Sequence, residues 1–191
     1  MDKLYNVYKT VLEMLNDRKL KDVPELPDRS VFVKLYDDDN LDIVIEPDVY
    51  VFILKNVQKY GKQEILSKIH KIQDDHGEDI RIIMCLHELP NTAIKQELKQ
   101  KQYYNVEIFT QKNLQFNITK HVGCPKHIIL TDEEKKNFLA KNKIKESNLS
   151  QLPSSDPIAK YYGIQQGSKT VVKILRKSEA TGITEAYRFV P

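Results

Sequence analysis

The sequence contains little of what disulfide-linked, membrane-spanning and phosphate-loop proteins require. Two of its 191 residues are cysteine, so no disulfide framework is expected and both thiols should stay free and buried in a reducing compartment. Every apolar run falls short of the roughly 18 to 20 residues that cross a bilayer, and the N-terminus lacks a hydrophobic signal core. With six glycines, the chain has no glycine-rich phosphate loop. These absences predict an intracellular protein with no membrane partner.

Charge is low overall but unevenly distributed. The formal net charge is +3. From Thr119 onward there are 13 lysine and arginine residues against 7 aspartate and glutamate residues, whereas the preceding part has 17 against 20. This division predicts two structural units, the second with a mildly basic surface. It does not by itself indicate nucleic-acid binding, because phosphate neutralisation usually involves a clustered basic patch.

The first two thirds of the chain have the pattern of an α/β domain. An opening helix, packed on its own domain or facing a partner, is predicted by the helical spacing of Leu4, Tyr8, Val11, Leu12 and Leu15. Strands are predicted at 31–36, 41–45, 49–55, 80–86 and 106–109, and helices at 62–75 and 91–102. Alternating strands and helices require crossover connections, so the sheet should be parallel or mixed.

The last third carries signals for two helices. Thr131 and Glu134 form a capping box for the first helix, whose buried contacts are expected from Phe138 and Leu139. The second helix, of two turns, starts with the N-cap Asp156 and with Pro157, and it ends at Gly163.

Two β-rich segments follow these helices. They span 170–176 and 183–190, and the turn between them contains Gly182, which can supply a positive φ. The last third is therefore predicted to be an α+β unit that ends in a β-hairpin.

A dense series of residues in this last third resembles one family. It comprises His121, Pro125 to His127, Thr131 to Asn142, Lys145 to Ser147, Leu149, Leu152, Pro153, Ser155 to Pro157, Ala159, Tyr161 to Gly163, Val171 to Ile174, Arg176 to Glu179, Gly182, Tyr187 and Arg188. In this order they resemble the fifth subunit shared by eukaryotic nuclear RNA polymerases, whose C-terminal half corresponds to a small subunit of the archaeal polymerases. A series of this length is far more specific than a single catalytic motif. The N-terminal part is similar in its opening helix, including Arg18, and in its order of strands and helices.

The resemblance implies a non-catalytic polymerase subunit of two domains. Residues 1–117 would form an α/β jaw domain, a mixed sheet with flanking helices similar to the restriction-endonuclease fold, and residues 118–191 a small α+β assembly domain. The assembly domain would dock on the largest polymerase subunit within the multisubunit complex, and the jaw domain would contact downstream double-stranded DNA weakly and without sequence preference. No cofactor is implied. The location would be the nucleus for a cellular subunit, or the host cytoplasm and virion for one carried by a large DNA virus.

The resemblance also implies site residues. The DNA-proximal turn corresponds to Pro90, Asn91, Thr92 and Ala93, where a capped helix start could hold a phosphate through free N–H groups. An ordinary capped helix is the alternative. Assembly contacts are expected from aromatic, arginine and helix-start residues, because aromatic and arginine side chains commonly anchor interfaces: Asp156, Pro157, Tyr161, Tyr162, Arg176, Tyr187 and Arg188. The tyrosines among them could equally form the core of so small a unit.

The residues give weak support to a nuclease. Such a site needs two acids and a lysine around Mg²⁺, and Asp48 and Lys55 could supply one acid and the lysine. Ile53 stands where the second acid is needed and cannot bind a hard cation. Glu97 and Lys99 have the right spacing but lie on an exposed helical pattern.

Zinc and nucleophilic chemistry are also weakly supported. The spacing of His121, Cys124 and His127 is compact, and Cys85 and His87 could add ligands. Tight structural zinc usually draws on paired Cys or His knuckles, which favours structural histidines and no metal site. No Ser or Cys stands in a recognisable arrangement with a base, so no catalytic residue is assigned. A free-standing nucleic-acid-binding module and a divergent Mg-dependent nuclease remain the alternative functions.

Overall fold

The computed structural model describes residues 1–55, 61–88, 90, 92–98, 100, 103–178 and 182–191, with Ser178 described in its backbone alone. The chain divides into two compact units, Met1–Phe116 and Asn117–Pro191. Within the described ranges, no helix is both long and apolar enough to cross a membrane.

The first unit is built on a four-stranded mixed sheet. Its strands are β1 (Ile43–Ile45), β2 (Val49–Ile53), β3 (Arg81–Leu86) and β4 (Val106–Thr110), and they lie in the order β1-β2-β3-β4. β1 pairs antiparallel with β2, whereas β2, β3 and β4 are parallel. The predicted mixed α/β sheet is confirmed, because the β2-to-β3 and β3-to-β4 connections each carry a helix.

Four helices accompany this sheet: α1 (Asp2–Asp17), α2 (Arg29–Asp37), α3 (Lys62–His76) and α4 (Thr92–Glu97). α3 and α4 cover one face of the sheet, where Ile65, Ile69 and Ile94 pack with Ile82 and Met84. α3 is followed by its C-cap Gly77, whose φ of 100° is a conformation that glycine adopts without strain. The side chains that predicted α1 are all buried, so α1 packs on its own unit.

The prediction of a strand at 31–36 was wrong, because this segment is the helix α2. Its alternating β-branched and aromatic residues favoured a strand locally. In the structure Phe32 is 1% exposed and meets the rings of Tyr5 and Tyr8 edge-on at 5.1 and 5.5 Å. Val31, by contrast, is exposed. Packing of one helical face against α1 therefore outweighs the local β propensity.

The helix predicted at 91–102 is shorter than expected. α4 ends at Glu97, Leu98 lies in a turn and Tyr103 begins another turn. Residues 91, 99, 101 and 102 lie outside the described ranges. Ile94 is the buried side chain of α4, so this short helix is held to the sheet by one deep contact.

The second unit contains a mixed sheet in the order β5-β7-β8-β6. Its strands are β5 (Lys126–Ile129), β6 (Ser150–Gln151), β7 (Thr170–Ser178) and β8 (Gly182–Val190), and its helices are α5 (Asp132–Asn142) and α6 (Pro157–Tyr161). β7 and β8 form the predicted C-terminal hairpin, and Gly182 has the expected positive φ of 74°. The core of this unit is formed by Leu152, Ala159, Ile164, Val172, Ile174 and Val190.

α5 begins as predicted but packs less deeply than expected. The Thr131 hydroxyl accepts from the Glu134 N–H, and the Glu134 carboxylate accepts from the Thr131 N–H, which confirms the capping box. Phe138 and Leu139 are only half-buried, and no side chain of α5 is fully buried. The expectation of buried contacts was wrong because α5 lies on the outer side of the small sheet, with Phe138 stacked on Tyr187.

Candidate assembly surface

The helix α6 is fixed at both ends by the residues that predicted it. The Asp156 carboxylate accepts from the Ile158 N–H at 2.8 Å, and Pro157 occupies the first turn, where a missing N–H has no cost. Gly163 follows with a φ of 66°. The helix has five residues, which is less than the predicted two turns. Ile158, Ala159 and Tyr161 are buried, so α6 is seated on the sheet by its apolar side.

One face of the second sheet carries both candidate arginines. In the register of the hairpin, Arg176 lies opposite Thr184 and Arg188 opposite Val172. His127 on β5 lies opposite Ile174. Directly paired residues point to the same face, so Arg176, Arg188 and His127 share the face on which Val172 and Ile174 pack with α6. We call these three residues the arginine face.

Arg176 and Arg188 give the arginine face its positive charge. Arg176 is exposed and Arg188 is half-buried. Across the described part of the chain, neither guanidinium forms an ion pair. A half-buried guanidinium has already lost some of its water and gains most from a carboxylate partner.

The two arginines of this face affect the pKa of His127. Its burial lowers its pKa below the usual value of 6.5, and the positive charges of Arg188 and Arg176 lower the pKa further, against the opposing effects of the Pro125 carbonyl and Asp156. Its surroundings therefore favour the neutral form of His127. Its Nδ1 donates to the Pro125 carbonyl oxygen at 2.7 Å, which fixes the ring tautomer.

The three candidate tyrosines have different surroundings. Tyr161 is 3% exposed, and its hydroxyl accepts from Asn117 Nδ2 at 2.8 Å, so it belongs to the core of the unit. Tyr162 is half-buried, packs against that core and meets Tyr161 edge-on at 5.3 Å. Tyr187 lies on the opposite face of the hairpin from Arg188, where it stacks on Phe138 with ring centroids 3.8 Å apart. Asp156, Arg176 and Arg188 therefore lie on one face of the second sheet, and Tyr187 lies on the opposite face.

Three of the residues considered for zinc, His121, Cys124 and His127, have partners within their own loop. His121 Nδ1 accepts from the Gly123 N–H at 3.1 Å, and Cys124 Sγ donates to the Pro125 carbonyl. Burial raises the pKa of the Cys124 thiol, which disfavours the thiolate that zinc requires. Among the described residues, no three His, Cys, Asp or Glu side chains are grouped closely enough to hold a metal ion.

The residues considered for a nuclease are not brought together. Lys55 Nζ lies 3.9 Å from Asp39 and over the ring of Tyr36, whereas Asp48 is exposed on the turn before β2. Glu97 pairs with Lys62 at 2.8 Å, and Lys99 lies outside the described ranges. Ile53, which stands in the position of the second acid, is buried.

The turn that the family resemblance predicts to approach DNA precedes and begins α4. Pro90 is buried, Thr92 and Ala93 are exposed, and Asn91 lies outside the described ranges. The side chains of Thr92 and Ala93 therefore face solvent on the first unit.

Sequence reasoning missed two buried polar contacts that hold the units in shape. Arg18, at the end of α1, donates to both carboxylate oxygens of Glu107 on β4, at 3.0 and 2.7 Å. Asn117 is 7% exposed, donates to Tyr161 and accepts from the Thr119 N–H at 2.9 Å. Arg18 carried a signal through the family resemblance, but Glu107 and Asn117 have no local pattern that could have identified them.

In comparisons with known proteins, a family model matches the second unit, and the similarity to individual relatives extends over almost the whole chain. The family model described as "RNA polymerase Rpb5, C-terminal domain" matches residues 116–190. The chain is 34% identical over 199 residues to the Dictyostelium discoideum protein "DNA-directed RNA polymerases I, II, and III subunit rpabc1", and the match covers 98% of the chain and 97% of that protein. It is 31% identical to the subunit RPABC1 of Caenorhabditis briggsae, over 95% of the chain and 81% of the relative, and 30% identical to that of Caenorhabditis elegans, over 99% and 85%. The chain therefore belongs to the Rpb5 family of structural, non-catalytic subunits of DNA-directed RNA polymerases.

Proposed function

We propose that this chain docks on the largest subunit of a DNA-dependent RNA polymerase through the arginine face and α6 of its second unit, while its first unit forms part of the jaw beside downstream DNA. The observation that carries the docking proposal is that neither Arg176 nor Arg188 forms an ion pair with a residue that the structure describes. Asp156, Pro157 and Tyr162 would contribute the adjoining α6 side of the same surface. Tyr161 and Tyr187 would act indirectly, by holding α6 and the hairpin in place.

Charge and shape both favour a protein partner at this face. A partner carboxylate that meets Arg188 would form a charge-assisted hydrogen bond in a partly water-excluded setting, where such bonds are stronger than at a free surface. Arg176, being exposed, would contribute more to the rate of association than to its strength. The apolar side of α6 packs against the core of the second unit and is not accessible to a partner. The interface would therefore be formed mainly by polar side chains around its rim.

Co-purification with the polymerase tests the docking proposal. The variant Arg176→Glu/Arg188→Glu should lose association with the largest subunit, because it places like charges against the partner's acids. The matched control is Lys136→Glu/Lys141→Glu, which makes the same change of charge on exposed residues of α5 and should associate normally. Far-UV circular dichroism of both variants checks that the fold persists. Equal association of the two variants would refute the docking surface.

The jaw role rests on the exposed helix start at Thr92 and Ala93, next to Pro90 and Asn91. Such a start can accept a phosphate without reading sequence, and the contact should be weak and salt-dependent. A photoreactive group on Thr92→Cys, in a Cys124→Ser background, should cross-link to downstream duplex in the assembled polymerase. The same group on Ser67→Cys, exposed on α3, should cross-link much less. Equal cross-linking from the two positions would contradict the proposed contact between the start of α4 and downstream DNA.

The proposal also includes the fold of the jaw domain and the location of the protein in the cell. The parallel β2-β3-β4 arrangement with covering helices supports a restriction-endonuclease-like jaw domain for residues 1–117, joined to the assembly domain at 118–191. The relatives described above are all eukaryotic, which favours the nucleus over the virion or host cytoplasm. The comparisons do not favour a free-standing nucleic-acid-binding module or a Mg-dependent nuclease.

A further inference from the structure

Among the three residues of the arginine face, His127 is the one whose charge can change near neutral pH. An unperturbed histidine has a pKa of about 6.5, whereas arginine stays protonated far above neutral pH. His127 lies on β5 opposite Ile174 and is half-buried. A proton on its ring would therefore be a third positive charge on a face that already has two.

The surroundings of His127 act on its proton from three neighbouring elements. Burial has the largest effect and disfavours the protonated form, and Arg188 on β8 and Arg176 on β7 disfavour it too. The Pro125 carbonyl and Asp156, at the start of α6, favour it. Neither arginine forms an ion pair with a residue that the structure describes. Both guanidinium charges therefore act on His127 in the free chain.

A partner carboxylate that pairs with either arginine would change this balance. A nearby like charge disfavours the protonated form of a histidine, and a nearby opposite charge favours it. The carboxylate would offset the repulsion from the guanidinium group and would itself attract a proton on the ring of His127. Because binding and protonation are linked, a proton that docking favours must in turn strengthen docking.

The direction of the pH dependence follows from which groups titrate. Unperturbed aspartate and glutamate have pKa values of about 4, so a partner's carboxylates keep their charge between about pH 8 and pH 6. Arginine keeps its charge over the same range. In this part of the docking surface, His127 is therefore the group that gains charge as the pH falls, and the charge that it gains has the sign that an acidic partner attracts.

We propose that His127 makes docking of the arginine face proton-linked: the chain takes up a proton at His127 as it meets its acidic partner, and association strengthens as the pH falls from about 8 to about 6. This inference rests on the proposed docking function, since it names a pH-sensitive element of that surface. The arginines provide charge at every pH in this range, and His127 adjusts the affinity.

Proton NMR of the His127 ring in the free full-length chain tests the coupling without a partner. The variant Arg176→Gln/Arg188→Gln should raise the pKa of His127, because it removes two positive charges from the same face. The matched control is Lys136→Gln/Lys141→Gln, which removes two positive charges from exposed positions on α5 and should shift the titration less. Identical titration curves for the wild type and the arginine variant would overturn the proposal.

Titrations with polymerase reconstituted without this subunit test the effect on docking. The wild-type chain should bind about fivefold more tightly at pH 6 than at pH 8, the gain expected from one added ion pair that is partly exposed. His127→Gln keeps an N–H donor for the Pro125 carbonyl but cannot take up the proton, so it should lose this gain and match the wild type at pH 8. Circular dichroism at each pH checks that both chains stay folded.

The outcomes separate this inference from the proposed function. An equal pH dependence in the wild type and in His127→Gln, or weaker docking of the wild type at pH 6, would overturn the proton link while leaving the docking surface in place. A wild-type chain that does not join the polymerase at either pH would overturn the proposed function itself.

Discussion

Replacing Arg18 with methionine should destabilise the first unit by about 3 kcal/mol. The Arg18 and Glu107 side chains are 2% and 14% exposed, respectively, and they join α1 to β4 across 89 residues of sequence. Methionine keeps the aliphatic part of the arginine side chain in place, so the main loss is the charge partner of Glu107.

The magnitude of the destabilisation depends on the contacts that Glu107 retains in the variant. Removing one partner of a buried ion pair usually costs about 3–5 kcal/mol, because the other charge stays buried and unpaired. Arg81 Nε lies 3.9 Å from Glu107 Oε1 and is partly exposed, so some compensation remains and the low end of that range applies. For a unit of this size, the midpoint of thermal unfolding should fall by about 10 °C.

Urea and thermal unfolding of the full chain, followed by circular dichroism, measure the effect. The control is Arg29→Met, because Arg29 pairs with Asp2 at the same 2.7 Å but with side chains 69% and 81% exposed, and exposed pairs contribute about 0–1 kcal/mol. The double variant Arg18→Met/Glu107→Met should recover to within about 1 kcal/mol of the parent, since no unpaired charge remains. The reasoning is refuted if Arg18→Met costs no more than Arg29→Met.

Three further predictions concern the second unit. Burial and the nearby arginines lower the pKa of His127 in the folded chain, so the unfolded chain binds the proton more readily and stability should fall as the pH drops below about 6.5; urea titrations at pH 7.5 and 5.5 should show this fall in the wild type and a smaller one in His127→Gln, and an equal fall in the two would contradict the assignment to His127. Tyr161→Phe removes the acceptor for the buried Asn117 amide and should cost about 1–2 kcal/mol in urea unfolding; an unchanged midpoint would show that the amide has another adequate partner. Thr131→Ala breaks the capping box of α5 and should cost about 1 kcal/mol, whereas Thr131→Ser should cost only a few tenths, and equal losses for the two would mean that the hydroxyl does not cap the helix.

The helix α2, which was predicted to be a strand, shows the limit of local sequence patterns. Segment 31–36 contains β-branched and aromatic residues that satisfy a strand pattern as well as a helical one. The choice depends on Tyr5 and Tyr8, more than twenty residues earlier, which offer Phe32 a place to pack. The β propensities of all residue types span only about 1 kcal/mol, so one buried aromatic contact can outweigh them.

The sequence by itself determined the elements whose signals are local. Thr131 with Glu134, Asp156 with Pro157, and the glycines at 77 and 182 specify their helix ends and turn through backbone bonds and φ angles that involve only near neighbours. The dense series from His121 to Arg188 also determined the family.

Only the tertiary structure decided which distant side chains meet. The register of β7 with β8 placed Arg176 and Arg188 on the α6 side and Tyr187 on the other, and folding of α1 onto β4 paired Arg18 with Glu107. A shift of one residue in register would turn every one of the hairpin side chains to the opposite face. Such contacts depend on how whole elements pack together, and no short stretch of sequence contains that information.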